Sequence, residues 1–155
     1  MTQESTGTAG VRRAVHVSLA VSDLERSLRY YCEGLGFREL HRIEAGQEVA
    51  SVGLFQGEVR FNSVLVGRDG LVLQLAHFPV PGMTGAPGVK PLNECGLTHL
   101  GIVVDDVDKA VEALVRLGGS VIEGTRTQIE GADIVMTLDL DGTRIEIVRV
   151  DNLPM

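Results

Sequence analysis

Four polar side chains in this sequence have the types and the spacing of a divalent metal site. They are His16, Gln74, His99 and Glu146. Two imidazoles, an amide oxygen and a carboxylate suit Mn, Fe, Co, Ni or Zn, and such a set leaves positions open for water or substrate. Glu146 stands among isoleucines and valines, where a carboxylate without a cation or a charged partner would be costly. An ion pair with Arg144 on the same strand face is the alternative interpretation of this glutamate.

His16 and His99 each lie on a predicted strand that leads into a helix. Around His99, the residues from Leu97 to Val104 alternate as a strand does, with the imidazole on the face opposite the apolar one. Asp105 and Asp106 then supply capping carboxylates, and apolar residues recur at helical spacing as far as Leu117.

The same order of elements occurs earlier in the chain. His16 aligns with His99 and Asp23 with Asp106, and the spacing from Ser22 to Glu25 predicts a capping box. Downstream, 70–76 aligns with 142–148, so that Gln74 aligns with Glu146. An ordered match of strand, helix and terminal strand indicates a duplicated unit.

The repeat predicts an α+β fold of two tandem βαβββ modules whose sheets form a curved, barrel-like cleft. We expect the modules at 13–78 and 97–150, a Pro/Gly-rich linker at 79–96, a disordered tail at 1–12 and a short tail at 151–155. A pseudo-twofold axis between the modules would bring the four polar side chains together. The segment 44–57 is predicted as a short helical excursion.

Two hairpins define the predicted pocket. In the first, a turn at 67–70 places Ser63 opposite Gln74. In the second, a turn at 139–142 places Val135 opposite Glu146. The predicted lining residues are Phe61, Ser63, Leu65, Val135, Thr137 and Arg144. His41 and His77 are assigned structural roles.

Taken together, the paired modules, the strand histidines and the run Asp-Gly-Thr-Arg-Ile-Glu at 141–146 resemble the vicinal oxygen chelate superfamily. That superfamily includes glyoxalase I, methylmalonyl-CoA epimerase, extradiol dioxygenases and bleomycin-resistance proteins. Its ligands come from the first and last strands of each module, and the His, Gln, His, Glu set is similar to that of methylmalonyl-CoA epimerase.

The resemblance implies a metal-dependent isomerase, epimerase or lyase that acts through a metal-stabilised enolate on a small carbonyl or thioester substrate. Glu146 is the expected ligand and catalytic base, with Glu44, Glu48 and Glu58 as further base candidates. The family pairs its modules within one chain or between two chains, and a homodimer is the expected state.

Two other functions stay open. His16, His99 and Glu146 alone would form the triad of an Fe(II) extradiol-type dioxygenase, which oxygen uptake with catechols would reveal. A non-catalytic antibiotic-binding resistance protein would hold no metal, and its acidic groove would suit a cationic drug.

Composition excludes several classes. The chain has 155 residues and a net charge of −7, which disfavours a nucleic-acid partner. No apolar run approaches the length of a membrane span, and the first residues lack the apolar region of a signal peptide, so a cytoplasmic protein without a membrane partner is expected. Cys32 and Cys95 are expected to be reduced thiols.

Overall fold

The computed structural model describes residues 7–85 and 89–151. The first module contains β1 (Val17–Ala20), α1 (Leu24–Arg29), β2 (Arg38–Ala45), β3 (Arg60–Arg68) and β4 (Leu71–Val80). The second contains β5 (Leu100–Val103), α2 (Val107–Arg116), β6 (Ser120–Val121), β7 (Thr127–Ile129), β8 (Ala132–Leu138) and β9 (Arg144–Arg149).

Each module forms its own sheet with the same topology. The first has the order β1-β4-β3-β2, and the second has the order β5-β9-β8-β6, with β7 also paired to β8. The module's first strand runs parallel to its last, and all other pairs are antiparallel. The predicted α+β fold of two related units is confirmed. In the second module the strand predicted at 120–124 is shorter, and β7 was not predicted.

Both helices begin at an aspartate. The side chain of Asp23 accepts a hydrogen bond from the Arg26 amide at 2.9 Å, and Asp106 accepts one from the Lys109 amide at 3.0 Å. The cap of α1 is therefore Asp23, and the capping box predicted to begin at Ser22 is wrong. The aligned pair of aspartates performs the same function in both repeats, because each satisfies an amide that the first helical turn leaves free.

The two modules share one hydrophobic core. Tyr30 and Tyr31, in a π-helical turn (Tyr30–Gly34) that continues α1, pack in the same cluster as Leu114 of α2 and Ile145 of β9. All four side chains are at most 1% exposed. A methyl group at Gly34 would lie 2.9 Å from Leu117 Cδ1, so the two helical segments approach closely. Burial of these apolar side chains is what joins the repeats.

The first hairpin is tighter than predicted. Arg68 pairs with Leu71, which leaves a turn of Asp69 and Gly70, both at positive φ (49° and 82°). Such a turn matches the twist of the paired strands and favours an Asp-Gly sequence. The register moves by two residues, so that Leu65 rather than Ser63 lies opposite Gln74. A shift of two keeps every side chain on its predicted face.

The second hairpin has a three-residue loop. The Asp139 amide bonds to the Thr143 carbonyl, and Gly142 between them has a φ of 86°. The Asp139 carboxylate stabilises the loop by accepting hydrogen bonds from the amides of Asp141 and Thr143. The register therefore differs by one residue from the prediction, and Met136 rather than Val135 lies opposite Glu146. A shift of one exchanges the two faces of β8.

The connecting segments agree with the predictions in part. Within 44–57, a short 3-10 helix (Gln47–Val49) follows β2, as the predicted helical excursion requires. The predicted tails lie partly outside the described residues, at 1–6 and 152–155, as does 86–88 of the predicted linker. Strand β4 extends two residues into that linker. In the described part of the chain, no helix is long and apolar enough to span a membrane.

Candidate metal centre

The second module brings one histidine and one carboxylate together. Residues Gly101 of β5 and Glu146 of β9 are paired in parallel register, and His99 lies two residues before Gly101, on the same face. His99 Nε2 is 3.6 Å from Glu146 Oε2, and the two side chains are 28% and 23% exposed. Two ligands about 2.1 Å from one ion at a tetrahedral angle stand about 3.4 Å apart. The pair thus has the spacing of two metal ligands.

Thr98 and Gly101 are the immediate neighbours of His99 and Glu146. The Thr98 hydroxyl lies 2.9 Å from His99 Nδ1, and it orients the ring so that Nε2 turns toward Glu146. A methyl group at Gly101 would lie 3.4 Å from Glu146 Oε2. That is an ordinary contact distance, so Gly101 lies directly beside the carboxylate, and neither neighbour was predicted as part of the site. A small residue two positions after the histidine is the available sequence signal.

The first module repeats the arrangement with an amide. Ser18 of β1 is paired with Gln74 of β4, and His16 lies two residues before Ser18. Gln74 Nε2 donates a hydrogen bond to Ser63 Oγ at 3.2 Å. This bond occupies the amide nitrogen and leaves the amide oxygen as the available ligand atom. His16 is exposed and Gln74 is half-buried.

By strand register the four side chains fall into two sets, His99 with Glu146 and His16 with Gln74, and a side-chain contact joins the first set. Across residues 7–85 and 89–151, no three His, Cys, Asp or Glu side chains approach closely enough to hold a metal ion. The sequence left open whether the predicted site forms within one chain or between two chains, and within this chain His16 does not join His99 and Glu146. Each pair nevertheless fits half of a ligand set, since it offers one imidazole and one side-chain oxygen.

The predicted pocket residues of the first module lie on the Gln74 face. Ser63 and Leu65 share that face with Gln74, and Phe61 continues it at the start of β3. The Phe61 ring packs 4.9 Å from Phe78, which in turn lies 4.9 Å from Phe55. Phe55 belongs to the segment 44–57, so this segment does contribute to one end of the face.

The predicted pocket residues Val135 and Thr137 point the other way. Val135 is 3% exposed and belongs to the shared core, while the Thr137 hydroxyl donates to the Ile145 carbonyl. Because the second hairpin is out of the predicted register by one, Met136 and Leu138 share the Glu146 face instead. Assigning Val135 and Thr137 to the pocket was wrong.

Arg144 does lie on the Glu146 face, and it lines a cleft. This cleft of about 330 Å³ is also lined by His99, by apolar residues of β1 and β5, and by part of the linker. Arg144 Nη2 donates a hydrogen bond to the Lys90 carbonyl. In the described ranges Arg144 makes no ion pair with Glu146, whose partner is His99.

A β-bulge changes the position of His41. Glu39 pairs with Val66 and His41 with Leu65, so Leu40 is an extra residue in β2. The bulge directs His41 to the Gln74 face, although the sequence suggested only a structural role.

Among the further base candidates, Glu44 lies opposite Asn62 on the other face. Hydrogen bonds from the backbone amides of Glu48 and Gly46 lower the pKa of the Glu48 carboxyl and favour its charged form.

A protein-family comparison matches most of the chain. Residues 13–147 match the model of the Glyoxalase/Bleomycin resistance protein/Dioxygenase superfamily. A lactoylglutathione lyase of Neisseria meningitidis (serogroup B) is 29% identical over 142 residues, covering 88% of this chain and 90% of that protein. A protein of Arabidopsis thaliana named "Probable lactoylglutathione lyase, chloroplastic" is 28% identical over 141 residues. This chain covers 36% of its length.

Solved structures show the same fold. A glyoxalase family protein from Bacillus cereus has a TM-score of 0.75 at 17% identity, covering 96% of this chain and 97% of that one. Glyoxalase I from Zea mays has a TM-score of 0.64 at 20% identity, covering 92% of this chain and 46% of that one. At these identities the likeness shows the architecture alone.

Proposed function

Because the chain belongs to the Glyoxalase/Bleomycin resistance protein/Dioxygenase superfamily, we propose that it is a metal-dependent lyase or isomerase that moves a proton next to a substrate carbonyl. The relatives named lactoylglutathione lyase favour the lyase and suggest S-lactoylglutathione, or the hemithioacetal that corresponds to it, as a first substrate to test. The observation that carries the proposal is the pair of His99 and Glu146, repeated as His16 and Gln74.

The donor atoms support a borderline divalent metal. Neutral imidazole and carboxylate ligands suit Zn, Ni, Co, Fe and Mn, and the amide oxygen of Gln74 is a weak fourth ligand. A bound divalent metal would act as a Lewis acid and acidify the carbon next to the substrate carbonyl. In this proposal the ligands are His16, Gln74, His99 and Glu146.

Glu146 has a second role in the proposal. Its Oε2 faces His99, so Oε1 is the atom that can accept a proton from substrate and return it to the adjacent carbon. A carboxylate that both holds a metal and moves a proton needs a fixed side chain. The His99 ring, held by Thr98 and 3.6 Å from Oε2, supplies that constraint.

We further propose a cytoplasmic homodimer with a site at each subunit interface. One chain offers two half-sites that do not meet, and a second copy would place the first module of one chain against the second module of its partner. Each interface would then contain both imidazoles, the amide and the carboxylate.

Metal analysis tests the centre. Protein loaded with Zn, Ni, Co, Fe or Mn and then desalted should retain about one ion per chain, and His99→Ala and Glu146→Gln should retain little. Glu112→Gln is the matched control, because Glu112 is an exposed helix glutamate paired with Arg116. Equal retention in Glu112→Gln and Glu146→Gln would refute the centre. Wild-type protein that retains no metal would favour the non-catalytic binding function.

Subunit complementation tests the shared site. His16→Ala and His99→Ala each disable a different half-site. Mixing the two variants under exchange should restore about a quarter of the sites, because half of the dimers are mixed and one of their two sites is intact. No recovery after exchange would contradict a site between subunits.

Turnover tests the reaction class. Loaded protein should form S-lactoylglutathione from methylglyoxal and glutathione, or should exchange the substrate α-hydrogen with deuterated water. Oxygen consumption with catechol and no proton exchange would assign the dioxygenase function instead.

A further inference from the structure

The cleft beside His99 has one apolar wall and one polar side. Val17 and Leu19 of β1 and Leu100 of β5 form the apolar wall, while Arg144 and the ion pair of Lys90 with Glu94 line the other side, so that Arg144 carries the net positive charge there. Half-buried apolar side chains around an open cleft can bind the hydrocarbon part of a ligand. The cleft is therefore suited to a molecule with one apolar and one polar end.

Arg144 keeps its charge available in this cleft. Its hydrogen bond goes to a neutral acceptor, the Lys90 carbonyl. Nearby carboxylates are engaged elsewhere, since Glu94 pairs with Lys90 Nζ at 2.7 Å and Glu146 with His99 at 3.6 Å. For the described residues, no carboxylate oxygen lies within 4.0 Å of the Arg144 guanidinium. A guanidinium has five N–H donors, so several remain for an anion.

Hydroxyl groups add to the polar side. Thr98 and Thr143 both line the cleft next to Arg144 or His99. The Thr143 amide is already bonded to the Asp139 carboxylate, which fixes the backbone from which Arg144 projects. The guanidinium is thus held at its root by the hairpin loop and near its tip by the Lys90 carbonyl.

We propose that this cleft binds a carboxylate-bearing ligand, with the carboxylate on Arg144 and the hydrocarbon chain against Val17, Leu19 and Leu100. A planar guanidinium pairs with a carboxylate through two parallel hydrogen bonds, which favours this anion over a neutral amide. In a chain with a net charge of −7, a local cation is needed to attract an anionic ligand.

The spacing between Arg144 and Glu146 also limits the class of substrate that can bind, an inference that rests on the proposed function. Arg144 and Glu146 are two residues apart on one face of β9, a distance of about 7 Å along the strand. The carboxylate of the substrate should therefore lie a few bonds from the carbonyl at which Glu146 acts. Acyl compounds with an acid group at that distance are the predicted class.

A pair of matched probes tests the anion site without turnover. 4-Phenylbutyrate and its neutral amide are titrated into metal-free protein and followed by the amide NMR signals of Thr98 and Thr143. We expect the carboxylate to bind about tenfold tighter than the amide or better. Arg144→Gln should remove this preference, and Arg144→Lys should restore part of it. Arg149→Gln is the control, since Arg149 lies on the same strand outside the cleft and pairs with Asp151.

Three outcomes would overturn the proposal. They are equal affinity for the two probes, loss of preference in Arg149→Gln as large as in Arg144→Gln, and absence of saturable shifts at Thr98 and Thr143. The test needs neither metal nor catalysis, so its result does not depend on whether the proposed function is correct. Carboxylate selectivity in a protein that never retains metal would refute only the enzyme proposal, and metal-dependent turnover without selectivity would refute only the anion site.

Discussion

The Tyr31 hydroxyl, in the first module, donates a hydrogen bond of 2.7 Å to Asp139 Oδ2, in the loop between β8 and β9 of the second. Tyr31 is fully buried and Asp139 is 6% exposed. Burial and the adjacent Asp139 charge raise the pKa of Tyr31 well above its usual value, so the phenol stays protonated as a donor. The other carboxylate oxygen, Oδ1, accepts the amides of Asp141 and Thr143. This bond links the first module to the loop before Arg144 and Glu146.

Tyr31→Phe should destabilise the protein by about 1.5–3 kcal/mol, because it leaves a buried carboxylate without one of its donors. Urea unfolding measures the change, and hydrogen exchange should show faster opening at 139–143. Tyr30→Phe is the matched control, because the Tyr30 side chain is equally buried while the bond to Asp139 comes from Tyr31. Equal losses in the two variants would mean that the bond to Asp139 contributes nothing specific.

Asp106→Ala should destabilise the protein by about 1 kcal/mol, because the Lys109 amide loses its acceptor at the start of α2. Asp105→Ala removes a neighbouring exposed carboxylate that does not cap the helix, and should change stability by less than about 0.5 kcal/mol. Thermal and urea unfolding would compare the two. A larger effect at Asp105 would contradict the cap assignment.

Protonation of Asp133 should lower the free energy of unfolding in acid. Arg126 donates two hydrogen bonds of 2.6 Å to its carboxylate, and this contact lowers the pKa of Asp133. A lowered folded-state pKa means that the stabilisation is complete above the ordinary pKa of about 3.9 and is lost as the pH falls through the lower value.

The difference in unfolding free energy between wild type and Asp133→Asn should therefore be constant near neutral pH and shrink as the pH falls below the ordinary pKa of an aspartate. Asp151→Asn serves as the control, because Asp151 pairs with Arg149 at 3.6 Å and is 90% exposed. A difference for Asp133→Asn that persists unchanged in acid would contradict the ion-pair explanation.

If Gln74 is a ligand of the proposed metal centre, Ser63→Ala should weaken metal binding by about 10- to 100-fold, because the Gln74 amide loses the hydrogen bond that orients it. Competition with a chelator measures the affinity. Ser18→Ala provides the comparison, since Ser18 lies opposite Gln74 but is not its hydrogen-bond partner. Equal affinities for wild type and Ser63→Ala would exclude Gln74 as a ligand held by Ser63.

The sequence repeat was sufficient to predict the architecture, a capping carboxylate at Asp105 or Asp106, and the shared strand face of His99 with Glu146 and of His16 with Gln74. Alternation within a strand and the offset between repeats are local properties, so they can be read from one chain. Gln74 and Glu146 occupy equivalent places because both follow an Asp-Gly turn by a fixed number of residues.

Details that depend on loop geometry were not predictable in the same way. The run at 139–142 allows loops of two or three residues, and the carboxylate of Asp139 selects three by bonding to the Asp141 and Thr143 amides. That selection turned Val135 away from Glu146. The separation of the two half-sites depends on how whole modules pack, for which the strand pattern carries no signal.

The bulge at Leu40 decides which side chains of β2 face a ligand. If the strand paired regularly with Leu40 opposite Leu65, His41 would move to the helix side of the sheet and Arg42 to the Gln74 side, away from Glu25 and Glu39, which it now contacts at 2.8 and 2.7 Å. Deleting Leu40 would instead keep His41 opposite Leu65, so the pairing at the bulge, and not the length of β2, sets which of its ionisable groups meet a bound molecule.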